Sequence, residues 1–137
     1  MIFLRFSRIW KTVNFFILFL VIIISLVPLS WLGFADIIPH HSQSSLLNDK
    51  LLHMCVFFII TIWLSGQYTF NSFKKIGFLL FLFGVFIEII QFVLPYRDAE
   101  LLDLLANLLG IFIAIVVANL GYFGWLLKLE TLIKPRS

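Results

Sequence analysis

The chain has 137 residues, 62% of them hydrophobic and 12% charged, with 17 phenylalanines and a mean hydropathy of +1.10. Its charged share is about half the ~25% of a soluble domain, and one small soluble core cannot hide so much apolar surface. An ordinary soluble protein is therefore excluded in favour of an integral membrane protein with a single domain over 1–137. The net charge of +3 is read through where the charges lie, and not as a nucleic-acid signal.

Four apolar segments approach the roughly 20 residues a helix needs to cross a bilayer. The first covers about 12–32 and is interrupted only by Asn14 and Ser25. Arg5, Arg8 and Lys11 precede it and Gly33-Phe34-Ala35 follows, in the manner of a signal peptide. The apolar run exceeds the h-region of about 7–15 residues, so an uncleaved anchor is expected. Residues 33–46 read as a loop, and its His40 and His41 as solvated side chains. The second segment, about 47–68, opens on Asp49-Lys50-Leu-Leu-His53, with Asp49 and His53 one turn apart on one face. The third, 76–94, carries Glu88 and Gln91 at i,i+3. Pro95 then breaks the chain and Arg97 sits in the turn. The fourth, 101–127, carries Asp103 and Asn107 at i,i+4, and a stripe of small residues (Ala106, Gly110, Ala114, Ala118) continues that face for close helix packing. Cys55 is the single cysteine, so no intrachain disulfide is possible.

These segments predict an all-α, four-transmembrane-helix bundle. The N-terminus, the 68–75 loop and the C-terminus then share one side and hold Arg5, Arg8, Lys11, Lys74, Lys75, Lys128, Lys134 and Arg136. Only Lys50 and Arg97 fall on the other side. The positive-inside rule places both termini in the cytoplasm. Asp36, Asp49, Glu88, Asp98, Glu100, Asp103 and the three histidines then lie in the extracytoplasmic half.

At 1.5 Å per residue, His53 lies about 6 Å along its helix from Asp49, and Glu88 roughly 9 Å below Leu94. Three helix ends thus bring Lys50, His53, Glu88, Gln91, Arg97, Asp103 and Asn107 to a similar depth. The third and fourth segments are expected to form a tight hairpin whose two polar faces meet beneath its turn. Glu88 and Asp103 would balance Arg97 and Lys50. Such groups mark a functional site when they lie in a span, because burial costs at least ~2.5–3.5 kcal/mol on insertion scales. They also serve as latches between helices, at about 0.6 kcal/mol per hydrogen bond. Both roles stay open here, with Gln91 and Asn107 as orienting groups.

The run Asp49-Lys-x-x-His53, Glu88-x-x-Gln91, Pro95-x-Arg97 and Asp103-x-x-Ala106-Asn107-x-x-Gly110 resembles the VanZ-like family of bacterial membrane proteins. The resemblance covers about 49–118, and the first segment matches only as a generic anchor. It implies a bacterial cytoplasmic membrane and an association with resistance to the lipoglycopeptide teicoplanin. It implies no reaction.

Two functions compete on these residues. In the first, Asp49, Lys50, His53, Glu88, Gln91, Arg97, Asp103 and Asn107 bind a polar or anionic headgroup without turnover. The ligand would be a lipid-linked envelope precursor or a lipoglycopeptide. In the second, the chain is a small intramembrane enzyme with His53 or Glu88 as acid or base and Asp103 beside them. No nucleophile elbow, His-Glu-x-x-His or phosphate loop is present in the sequence, and binding is the favoured reading. No cofactor and no metal are expected. The partners are membrane lipid and a possible second copy of the chain, with no nucleic acid.

Overall fold

The computed structural model describes residues 7–27, 42–95 and 100–133. Five helices follow one another: α1 Ser7–Leu26, α2 Ser42–Ser65, α3 Phe73–Val93, α4 Leu101–Val117 and α5 Trp125–Ile133. No strand occurs among the described residues. Three stretches among them are long and apolar enough to cross a membrane: Arg8–Leu26, Phe73–Val93 and Leu101–Leu132.

Helix α2 is the central element, packed chiefly on α4 and also touching α1 and α3. Its apolar residues show no single buried face because neighbours cover it on several sides. Phe57 and Ile60 of α2 meet Val21 of α1, Ile76, Leu80 and Ile87 of α3, and Ile111 of α4 in one buried core. Phe15, Phe16, Phe78, Phe86, Phe92 and Phe112 point outward instead. An outer surface of this kind suits hydrocarbon and would be unstable in water.

Several boundaries differ from the expectation. Helix α1 starts earlier, at Ser7, so Arg8 and Lys11 belong to its first turns. Helix α2 starts at Ser42, earlier than the expected 47, and ends at Ser65. The expected fourth segment, 101–127, does not run straight through. It widens into a π turn over Ala118–Tyr122, and Gly121 (φ 119°) and Gly124 (φ 71°) then adopt left-handed backbone that other residues rarely reach. The chain bends there, and α5 begins at Trp125. The amides of Gly124 and Leu126 donate to the carbonyls of Ser65 and Gly66, at 3.0 Å each. These bonds satisfy carbonyls that the end of α2 leaves without intrahelical donors.

The small-residue stripe behaves as expected. Gly110, Ala114 and Ala118 are buried, and a Cβ on Gly110 would fall against the Met54 carbonyl oxygen of α2. The backbones of α2 and α4 approach closely there because nothing stands between them.

Candidate functional site

Leu94, extended ahead of Pro95, ends α3, and Glu100, also extended, opens α4. Asp103 then sits in the first turn of α4, where a carboxylate is favoured by the helix dipole. From there its side chain reaches α2. Lys50 Nζ donates to Asp103 Oδ1 at 3.2 Å and to Glu100 Oε2 at 2.6 Å. One turn deeper, His53 Nδ1 lies 3.1 Å from Asn107 Oδ1. The amide oxygen can only accept, so the ring N–H donates. His53, Asp103 and Asn107 are buried at 4%, 3% and 0% exposure, while Asp49 at the mouth is half-buried.

The polar face of α4 therefore meets α2. The hydrogen bonds of Asp103 and Asn107 go to α2, while Asn107 Nδ2 also lies 3.2 Å from where a Cβ on Gly84 of α3 would stand, so the expected meeting of the α3 and α4 faces is met in part. Gln91 of α3 is buried too, but its amide donates to the Ser25 carbonyl of α1 at 2.8 Å. The physical reason is the close approach at Gly110, which presses the Asp103–Asn107 face onto α2. Glu88 is half-buried on α3, one turn from Gln91. Arg97 lies outside the described residues, so the expected Glu88–Arg97 balance does too; the Lys50–Asp103 half of it is present. His40 and His41 also lie outside the described residues. Glu100, as the stronger partner of Lys50, was not anticipated. Gln91 Oε1 and Asn107 Nδ2 make no hydrogen bond among the described residues.

The opposite end of the bundle holds a second polar network that sequence reasoning missed. Asn14 and Gln67 exchange amide hydrogen bonds at 2.7 Å each, and Trp63 Nε1 donates to Asn14 Oδ1 at 2.9 Å. Trp10 Nε1 donates to Glu130 Oε1 at 2.6 Å. Trp63 stacks edge-on with both Trp10 and Trp125, at 5.9 and 6.1 Å between ring centroids. Asn14 inside an apolar run was the available signal. Its partners lie 49 and 53 residues away, beyond the reach of helical spacing.

In comparisons with known proteins, 101 residues of this chain are 31% identical to an uncharacterized protein of the fission yeast Schizosaccharomyces pombe. The match covers 71% of this chain and 59% of that protein, so the chain spans less than two thirds of that protein's length. No family model and no solved structure matches the chain.

Proposed function

We propose that this chain is a four-span membrane protein with both termini cytoplasmic, and that its α2–α4 cluster recognises a polar headgroup in the extracytoplasmic leaflet. The observation that carries the reading is the juxtaposition of Lys50, His53, Asp103 and Asn107 between two closely packed helices at one end of the bundle. Ionisable groups at that depth are costly in a bilayer and are kept where they bind something. α2 supplies the fourth span. The basic side chains Arg8, Lys11, Lys74, Lys75 and Lys128 lie at the other end with the tryptophan cluster, as at an inner membrane interface.

Lys50, with Arg97, supplies the cations for an anionic group, and Gln91 and Asn107 supply amides. The VanZ-like resemblance supports an envelope setting. It alone carries the bacterial cytoplasmic membrane, the lipid-linked precursor and teicoplanin resistance. The fission yeast relative favours a headgroup chemistry shared by bacterial and eukaryotic membranes, a phosphate ester, over a lipoglycopeptide. A second reading rests on His53: Asn107 fixes its N–H, which leaves a lone pair for general base catalysis on such a lipid. Turnover of a labelled phospholipid that disappears in His53→Ala would favour it.

The test of recognition uses purified protein and nanodiscs with and without phosphatidic acid. Arg97→Lys keeps the charge but removes the planar fork for a phosphate. The expected result is normal thermal stability with loss of phosphatidic acid enrichment around the protein. If stability falls in step with enrichment, the cluster is a helix latch.

A further inference from the structure

Asp49 and His53 lie one turn apart on α2, and Asp103 faces them from α4. Each offers one ligand atom, and these three atoms lie within 4.8 Å of one another. Two of the three side chains are more than nine-tenths buried. A cavity of about 10 Å³, lined by Asp49 and His53 with Ser25 and Val56 but not by Asp103, adjoins the two α2 ligands. That is about the room of one water molecule or one ion.

We infer that Asp49, His53 and Asp103 form a binding site for one divalent first-row cation, with Zn²⁺ and Mn²⁺ as the fitting ions. Two carboxylate oxygens and an imidazole are borderline-to-hard donors that suit these ions and would not select a soft monovalent metal. Bonds of about 2.0–2.2 Å require the three ligand atoms, within 4.8 Å of one another, to close on the ion. Asn107 has the arrangement usual behind a metal-bound histidine: its carbonyl fixes the far ring N–H and so orients the other nitrogen. Lys50 competes for Asp103 through its longer bond and keeps the shorter one to Glu100 when the ion takes Asp103. Three protein ligands leave an open position, which deepens the headgroup reading by giving a phosphate oxygen somewhere to bind. The ion itself is measured without any lipid ligand, so the two readings fail separately.

The experiment strips the purified full chain with a chelator, loads it with Zn²⁺ or Mn²⁺ and counts retained metal per chain. Calorimetry gives the affinity. One ion per chain is expected, with a raised unfolding temperature. Asp103→Asn and His53→Ala should abolish retention, and Asn107→Ala should weaken it about 10–100-fold. Lys50→Gln should tighten it roughly 30-fold, the effect of removing one unit charge about 4 Å from a divalent ion even in bulk water. A His40→Ala/His41→Ala chain should retain the ion. The inference is overturned if the wild-type chain retains none. It is equally overturned if Asp103→Asn binds as well as wild type, or if only the His40/His41 double variant loses the ion.

Discussion

At the scale of single residues, the outer cluster separates groups that hold the helices from groups that are available to a ligand. Asn107 does both: its carbonyl oxygen lies 3.1 Å from the buried His53 ring nitrogen, while its Nδ2 makes no hydrogen bond among the described residues. Asn107→Ala should lower stability by about 0.6 kcal/mol and by no more than about 1.7 kcal/mol, the range for hydrogen bonds between helices in a bilayer. Reversible unfolding in mixed micelles measures it. A loss of several kcal/mol would mean that the amide organises more than His53. Asp49, His53, Asp103 and Asn107 were legible as a set because helical spacing puts each pair on one face. Their mutual partners were not legible. Spacing within a helix says nothing about which neighbour that face meets, and Gln91 went to Ser25 of α1 and not to α4.

Among elements, the α2–α4 contact decides the geometry of the site. Gly110 allows it, and the stripe Gly110–Ala114–Ala118 was readable in the sequence because small residues at every fourth position serve few other purposes in a span. A Cβ there meets backbone, which cannot move aside as a flexible side chain can. Gly110→Ala should therefore be destabilising, by about 1–3 kcal/mol if it behaves as overpacking does in soluble cores. Gly110→Leu should also displace Asp103 and Asn107 and lose folded yield and metal retention together. Size-exclusion profiles and metal counts on the two variants check this. Normal yield of Gly110→Leu would show that the helices are not held together at that point.

The bend between α4 and α5 shows where periodicity fails. Residues 101–127 are apolar enough to read as one helix, yet the chain turns at Gly121 and Gly124. The deciding contact is remote: a Cβ on Gly66 would fall inside the Trp125 indole, so α5 docks on a bare glycine at the end of α2. Gly66→Val should undock α5 and expose Trp125, with a red-shifted tryptophan emission. An unchanged emission would separate α5 docking from Gly66.

For the whole molecule, two polar ends enclose an apolar middle, and α1 is tied at both. Asn14 clamps it to Gln67 at the basic, tryptophan-rich end, and the Ser25 carbonyl takes the Gln91 amide at the other. The central claim is sidedness: the Lys50–His53–Asp103 cluster faces outward, away from the basic end, where an extracytoplasmic headgroup or ion can reach it. Single cysteines at Pro95 and Asn71, both exposed and on opposite ends, test this in a Cys55→Ser chain with a membrane-impermeant thiol reagent. Labelling of Pro95→Cys in intact cells, with Asn71→Cys labelled only after lysis, is the predicted result. The reverse pattern would put the cluster in the cytoplasm and contradict the account.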